Sequence, residues 1–308
     1  MDMVVKTEQT QGGILLSIVS HISLGLYVVF SKDLFRHFPP FALLACTFSV
    51  VLAVSSILLH KEINWQDFAR ASIWLVAVIA LLRSITKMLA VQYTLATYVQ
   101  LLDIGSPFVS AFIAWFFLRE RLPRGTIPAL ITTTIGAFFV IVINPWDIQL
   151  PNGQTDLIGL VLAMASSIFM GMLVVVTGFV TQVRSNPANV YIQQTLALVV
   201  TYFALSLVFD ESWLPFRYMT VSTLCYLIVF VLMILLGGWL TVFSLSRVNS
   251  TFFSVLLSLR LVTAVVAGWA ILGEKLSNPM QIVGLVLVVV SITWYLWKQD
   301  RREQQRIP

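Results

Sequence analysis

The chain is divided into ten apolar runs, each long enough to cross a lipid bilayer. A spanning helix needs about 20 residues, because the hydrocarbon layer is roughly 30 Å thick. Turn residues, including prolines and Asn-Pro pairs, separate the runs. The pattern predicts an all-α integral membrane protein with ten transmembrane helices. The runs lie near 12–31, 41–60, 71–91, 96–117, 125–143, 157–180, 188–209, 219–241, 248–271 and 278–297.

The composition supports this class of protein. Hydrophobic residues make up 58% of the 308 positions and charged residues only 11%, whereas soluble domains carry about 25% charged residues. The first run is too long for a signal-peptide core and lacks an Ala-x-Ala-like cleavage site, so we expect it to remain as a spanning helix. Cys46 and Cys225 lie inside runs and are interpreted as small apolar residues, without a disulfide or a metal site.

A phrase of the form Trp-x-x-Leu-x-Glu-Arg/Lys-Leu closes the fourth run and again the ninth, with Glu120 in one copy and Glu274 in the other. A second echo pairs residues 20–32 with residues 166–178. Two matches in the same order along the chain indicate an internal repeat. We therefore expect two halves of five helices each, spanning 1–146 and 155–308, the second ending in a short basic tail.

The basic residues predict the orientation of these helices. With the N-terminus in the cytoplasm, twelve Lys and Arg residues fall on the cytoplasmic side and four on the other, which places both termini in the cytoplasm by the positive-inside rule. Because five is an odd number, the second half enters the membrane from the opposite side, giving two inverted five-helix repeats. Inverted repeats usually hold a substrate site at their interface near the midplane and alternate access by rocking.

This ten-helix, twice-repeated plan with its Leu-x-Glu-Arg/Lys-Leu phrase resembles the drug/metabolite transporter superfamily, specifically the EamA-type permeases. Pro107, thirteen residues before Glu120, and Lys32 with the Pro-Pro turn after it extend the resemblance in the first half. The second half departs from it, with Arg260-Leu261 where the family's proline would fall. The resemblance implies export or exchange of metabolites such as amino acids, with no covalent chemistry.

Four charged residues lie inside the predicted spans, where a charge costs about 2.5–3.5 kcal/mol on insertion scales: Arg83, Lys87, Asp103 and Arg260. Arg83 and Asp103 lie roughly 12 Å and 10 Å from the outer ends of their helices, so they share a depth. Either they form a structural ion pair or they contact substrate. Lys87 is predicted to extend its long side chain to the outer surface.

Arg260 is predicted near the centre of the ninth helix, and its counterpart in the first half is Ser106. A guanidinium binds carboxylate or phosphate through two parallel hydrogen bonds. The charges inside the spans are three positive and one negative, which favours an anion in the same region. The sequence therefore predicts that Arg260 recognises an anionic group of the substrate.

His21 and Asp103 are the candidates for moving a proton. His21 lies near the centre of the first helix and aligns with Ser167; its imidazole could carry a proton or donate a hydrogen bond, or it packs between helices. Asp103 is the one acidic residue well inside a predicted span, so it is the obvious carboxylate for proton coupling. A lock to Arg83 would keep it charged and prevent that role.

Three further side chains are candidates for lining the cavity and stacking on a substrate ring: Tyr98, Gln100 and Trp239. Most aromatic residues in spanning helices pack or form interface belts, so a structural role stays open for each. Glu120 and Glu274 are interpreted as helix caps or gate-closing ion-pair partners and not as a catalytic pair.

The sequence thus predicts a secondary transporter of a small organic metabolite, an amino acid or another carboxylate-bearing compound, working as an exporter or exchanger. The expected partners are the substrate, the lipid bilayer and a proton or counter-substrate, without nucleic acid, cofactor, metal or catalytic residues. The chain is expected to act as a monomer in the bacterial inner membrane. No nucleotide-binding phrase Gly-x-x-x-x-Gly-Lys-Ser/Thr is present, so an ATP-driven pump is not expected.

Three alternatives follow from the same residues. An exchanger of organic phosphates or nucleotide sugars would suit a basic cavity. An intramembrane enzyme would need a catalytic cluster, but His21, His37 and His60 are scattered along the chain. A passive channel is the third, although the repeats carry no filter-like glycine run.

Overall fold

The structure is a computed structural model that describes residues 11–35, 37–93, 102–103, 105–117, 125–141, 154–183, 185–272 and 279–304. Within these residues the regular elements are helical. Short 3-10 helices cover Trp65–Ala69 and Leu214–Tyr218. The α-helices are α1 (Gln11–Leu34), α2 (Pro40–Leu58), α3 (Ala71–Tyr93), α4 (Ser106–Phe117), α5 (Thr126–Ile141), α6 (Gln154–Val183), α7 (Pro187–Val208), α8 (Val221–Leu245), α9 (Ser250–Val255), α10 (Ser258–Leu272) and α11 (Pro279–Gln304).

Six helices among the described residues are long and apolar enough to cross a membrane: α1, α2, α3, α6, α7 and α8. Shorter apolar stretches lie in α4, α5, α11 and the α9–α10 segment. Every predicted run contains a helix, but the ninth run differs from expectation. It is not continuous, because it breaks after Val255 and restarts at Ser258. In the fourth run, α4 covers Ser106–Phe117, and residues 94–101 lie outside the described residues.

The described residues divide into two compact units. Unit 1 takes those within 82–175 and 249–308, and unit 2 takes those within 5–81 and 176–248. Two unit boundaries fall within α3 and α6, and a third falls between α8 and α9. Each unit therefore combines segments from both predicted sequence halves, so that a repeat along the chain is not the same as a compact unit in the fold.

In unit 2, α1 packs antiparallel to α8. The rings of Tyr27 and Phe230 stack with centroids 5.2 Å apart, and Phe30 and Tyr226 stack at 4.7 Å. Close approach further along requires a glycine, because a Cβ at Gly237 would lie 2.7 Å from Leu24 Cδ2. Small residues at such crossings let helices come close in lipid, where packing rather than the hydrophobic effect holds them together.

The second helix pair of unit 2 is α2 and α7, also antiparallel. Both helices begin with a proline, Pro40 and Pro187, which suits the first helical position because its missing N–H would have no partner there. Glu211 caps the start of α2 by accepting hydrogen bonds from the backbone N–H of Phe41 at 3.1 Å and Ala42 at 2.6 Å. The carboxylate also complements the positive end of the helix dipole.

The start of α7 is held by a different network. Asn189 Nδ2 donates to the buried Asp67 carboxylate at 3.1 Å and to Asn64 O at 3.0 Å, while Ser185 Oγ donates to Asp67 at 3.0 Å. Arg70 pairs with the other oxygen of Asp67 at 3.1 Å. Glu211 thus fixes the start of α2, and the network around Asp67 fixes the start of α7.

In unit 1, α5 packs antiparallel to α11. Thr126 Oγ1 and Tyr295 Oη share a hydrogen bond of 3.1 Å, and the hydroxyls of Thr132 and Ser291 bond further along. Gly136 lies where the two helices come closest, because a Cβ there would be 2.8 Å from the carbonyl oxygen of Gly284. Backbone cannot yield as a flexible side chain can, so this position accepts glycine alone without a shift of the helices.

The α4 helix contacts two other helices of unit 1. The α4 helix packs against α9, and Ser110 Oγ donates to Ser254 Oγ between them. On another side, α6 approaches α4 at Gly171, where a Cβ would lie 2.7 Å from Val109 Cβ and 2.9 Å from the backbone nitrogen of Ser110. The beginning of α4 is therefore enclosed by α9 and α6 together.

Candidate functional site

Three of the predicted site residues, Arg83, Asp103 and Arg260, belong to unit 1, and Lys87 lies with them. Arg83 and Lys87 are four residues apart on α3, so they project from the same face of the helix. The charges of Arg83, Asp103 and Arg260 all act on Lys87, and those of Arg83 and Asp103 act on Arg260. We call these four residues the charge cluster.

The ion pair in the charge cluster joins Lys87 to Asp103, with 2.6 Å between Lys87 Nζ and Asp103 Oδ2. The two side chains are only 25% and 22% exposed. The expected pair of Arg83 with Asp103 is replaced by this one, and the prediction that Lys87 reaches the outer surface is wrong. A carboxylate within reach compensates a partly buried ammonium directly, so the lysine side chain stays inside.

Asp103 and Arg83 keep hydrogen-bonding groups that the described residues do not satisfy. Asp103 Oδ1 and Arg83 Nε are both buried atoms without a hydrogen-bond partner among them. The backbone around Asp103 is fixed, because Ser106 Oγ donates to Asp103 O at 2.7 Å. The charge cluster therefore contains one unsatisfied acceptor, Asp103 Oδ1, and one unsatisfied donor, Arg83 Nε.

Arg260 lies in the first turn of α10, directly after the break in the ninth run. Turn-type hydrogen bonds span the restart, from Leu259 N to Leu256 O and from Arg260 N to Leu257 O, both at 3.0 Å. The start of a helix carries a partial positive charge, so an arginine here adds to the helix dipole and does not oppose it. Such a position favours an anion more than a mid-helix arginine would.

The fourth run contains a related turn. Gly105 forms a turn by donating to Leu102 O at 2.9 Å, and α4 then begins at Ser106. Ser106 and Arg260 are the counterparts that the repeated phrase aligns, 154 residues apart. Helix starts therefore lie at nearly matching places in the two halves, next to Asp103 in one and at Arg260 in the other. Short or interrupted spans in corresponding positions are a recognised mark of transporter binding sites.

Two serines of α6 complete the surroundings of the charge cluster. Ser166 Oγ donates to the backbone oxygen of Arg83 at 3.4 Å. Ser167 packs beside Gly105, where a Cβ would be 3.4 Å from its hydroxyl oxygen, and that hydroxyl is buried without a partner among the described residues. Neither serine was predicted as a site residue from the sequence. The alignment of residues 20–32 with residues 166–178 nevertheless places Ser167 opposite His21, so this position is polar in both halves.

The remaining predicted site residues lie elsewhere. His21 is fully buried in α1, and Trp239 in α8 packs edge-on against Phe243 with centroids 5.5 Å apart; both belong to unit 2. The indole N–H of Trp239 is buried without a partner among the described residues. Tyr98, Gln100, Glu120 and Glu274 lie outside the described residues.

The net charge of the cluster decides what it can bind. Its own side chains, three cations and one carboxylate, carry a net charge of +2 in a partly buried place. Charge inside a membrane protein is costly, and guanidinium and ammonium groups bind carboxylates and phosphates well. The arrangement is therefore suited to hold an anionic group.

A protein of known crystal structure matches the chain with a TM-score of 0.77, over 94% of this chain and 98% of its own, at 15% sequence identity. At that identity the likeness bears on the fold alone. A search of the curated proteins finds no match.

The model of the EamA-like transporter family matches two segments of the chain, residues 11–142 and 157–297. Together they include all the long apolar helices and the charge cluster. The chain therefore belongs to the EamA-like transporter family, within the drug/metabolite transporter superfamily, and is a multi-pass membrane transporter of small molecules and not an enzyme.

Proposed function

We propose that this transporter is a secondary carrier that holds the anionic group of a small organic metabolite at the charge cluster, and that it works as an exporter or exchanger. The preferred substrate is an amino acid or another carboxylate-bearing compound. The observation that carries the proposal is Arg260, in the first turn of a restarted helix and close to Arg83, Lys87 and Asp103. A half-helix start aimed at an anionic group is a recurring device of secondary transporters.

The proposed architecture is ten spans in two inverted repeats, 1–146 and 155–308. Two family matches of similar length support it. So does the packing of helices against their counterparts: α2 with α7, α4 with α9 and α5 with α11. The first and last of these pairs run antiparallel, as an inverted repeat requires and a parallel repeat would not. The expected cycle is alternating access by rocking of one group of helices against the other.

The proposed setting is the bacterial inner membrane, with both termini in the cytoplasm and the monomer as the working unit. The excess of basic residues on one side supports the orientation. A proton or a counter-substrate is the proposed coupling partner. Because Lys87 already holds one oxygen of Asp103, a counter-substrate is the simpler of the two.

A second candidate is exchange of an organic phosphate or nucleotide sugar. The specific observation in its favour is the net charge of +2 on the four side chains of the charge cluster, which matches a phosphomonoester dianion better than a single carboxylate. Selective inhibition by phosphorylated compounds would distinguish it from the carboxylate carrier.

The test is uptake of labelled solute into proteoliposomes that contain the purified protein and are preloaded with unlabelled solute. We expect uptake that saturates with concentration and is accelerated by solute on the far side, as exchange through one binding site requires. Inhibition by a panel of carboxylates, amino acids and organic phosphates then identifies the class. Uptake that rises linearly with concentration and ignores the internal solute would contradict a carrier and indicate a channel.

A further inference from the structure

We propose that the charge cluster recognises a hydrogen-bond donor next to the anionic group of its substrate, and that Ser167 is a further residue that determines this specificity. The inference rests on the proposed function, because it assumes that the cluster binds the substrate. It narrows the substrate class to carboxylates with an ammonium or hydroxyl group on the neighbouring carbon.

The two carboxylate oxygens of Asp103 differ in their hydrogen bonding. Lys87 Nζ holds Oδ2 at 2.6 Å, so this oxygen is satisfied. Oδ1 is buried and accepts no hydrogen bond from the described residues. A buried acceptor without a donor carries its full desolvation cost, so such atoms are rare in native structures and are usually served by a water molecule, an ion or a ligand. Lys87 thus positions Asp103 so that one oxygen is left to accept a hydrogen bond.

Two further polar groups on α3 and α6 are buried without a hydrogen-bond partner among the described residues. Arg83 Nε is a buried donor without an acceptor among the described residues, one helical turn from Lys87. Ser167 Oγ is also buried without a hydrogen-bond partner among the described residues. It packs beside Gly105, which is two residues from Asp103. The neighbouring Ser166 bonds to the backbone oxygen of Arg83. One acceptor, one donor and one hydroxyl that can act as either therefore lie on three segments that contact one another: α3, α6 and the residues just before α4.

A ligand that satisfies Asp103 Oδ1, Arg83 Nε and Ser167 Oγ must offer both acceptors and a donor. A simple carboxylate or a phosphate offers acceptors to Arg83 but brings negative charge against Asp103 Oδ1. A 2-amino or 2-hydroxy acid offers acceptors and a donor on adjacent carbons. Its carboxylate can bind the guanidinium groups, its donor can bind Asp103 Oδ1, and the Ser167 hydroxyl can bridge the two. The hydrogen-bonding groups therefore favour a 2-substituted acid over its unsubstituted analogue.

The experiment compares acids that differ only at the carbon next to the carboxylate. The purified protein is titrated with alanine, lactate and propionate; with leucine, 2-hydroxy-4-methylpentanoate and 4-methylpentanoate; and with phenylalanine, 3-phenyllactate and 3-phenylpropionate. Thermal unfolding at each concentration gives the affinity. We expect the amino or hydroxy member of at least one series to bind about tenfold or more tightly than the unsubstituted member, as a hydrogen bond to a charged group provides.

Variants assign the preference to its residues. Ser167→Ala and Asp103→Asn should reduce the ratio between substituted and unsubstituted acids toward one. Ser206→Ala is the matched control, because Ser206 in α7 is also a buried serine with an unpartnered hydroxyl but belongs to unit 2. This control should leave the ratio unchanged.

The outcomes separate this inference from the proposed function. Equal affinities within every series, no binding by any substituted acid, or a ratio unchanged in both Ser167→Ala and Asp103→Asn would overturn the inference. Arg260→Ala should instead weaken all members of a series together. If that uniform loss occurs without a preference for substituted acids, anion recognition stands and the donor recognition is wrong.

Discussion

Replacement of Arg260 with alanine is expected to weaken the binding of an anionic substrate by about two orders of magnitude. Truncating one partner of a buried charge pair costs about 2–5 kcal/mol, and about 1.4 kcal/mol corresponds to a tenfold change in affinity. The large effect follows from the place of the residue, since Arg260 lies at a helix start where the dipole also favours an anion. The dissociation constant is measured by ligand-dependent thermal unfolding of the purified protein.

Two further variants make this result specific. Arg260→Lys keeps the charge but loses the two parallel hydrogen bonds of the guanidinium, so we expect an intermediate loss. Arg217→Ala removes an exposed arginine from the 3-10 helix of unit 2 and should leave binding unchanged. Normal binding by both Arg260→Ala and Arg260→Lys would show that Arg260 is structural and would remove the basis for anion recognition.

The Lys87–Asp103 pair is expected to give unequal losses of stability when its members are removed singly. Asp103→Asn leaves three cations together, whereas Lys87→Met leaves the carboxylate with Arg83 and Arg260 nearby. Asp103→Asn should therefore lower the free energy of unfolding more than Lys87→Met. The double variant should lose less unfolding free energy than the two single variants lose together, by about 1–2 kcal/mol. This difference is moderate because the pair is partly exposed.

The matched comparison is the same cycle for Arg83 and Asp103, measured by unfolding in the same detergent. Arg83 carries the same charge one turn away on α3, but Asp103 bonds to Lys87 and not to it. Additive effects for Lys87 and Asp103, or a stronger coupling of Asp103 to Arg83, would contradict the ion pair as it stands in the structure.

Hydropathy alone predicted the positions of the helices. The ten runs are predominantly apolar, and each contains a helix among the described residues. The break after Val255 was not predictable in this way, because Leu256 and Leu257 are as apolar as their neighbours and no proline or glycine marks the place. The break depends on backbone hydrogen bonds that switch to turn type, which hydropathy does not detect.

For the candidate site, the sequence identified the charged residues and missed their pairing. Depth along each helix made Arg83 the expected partner of Asp103, but depth does not specify which side of a helix faces a neighbour. Lys87 was assigned to the surface by the length of its side chain, although the carboxylate of Asp103 lies within its reach. Ser167 is an ordinary residue in a spanning helix, and only its packing beside Gly105 gives it a role in the proposed recognition.

The most direct test of the central claim, a substrate site at the charge cluster that opens alternately to each side, uses Ser106→Cys. Ser106 is the counterpart of Arg260, is 2% exposed and bonds to the backbone of Asp103. The natural cysteines, Cys46 and Cys225, are first replaced by alanine. An anionic, membrane-impermeant methanethiosulfonate is then applied to one face of the vesicles at a time, with and without a solute that the protein exchanges. We expect labelling from both faces, slowed by that solute in each case; labelling from one face only, or labelling that the solute does not slow, would contradict the account.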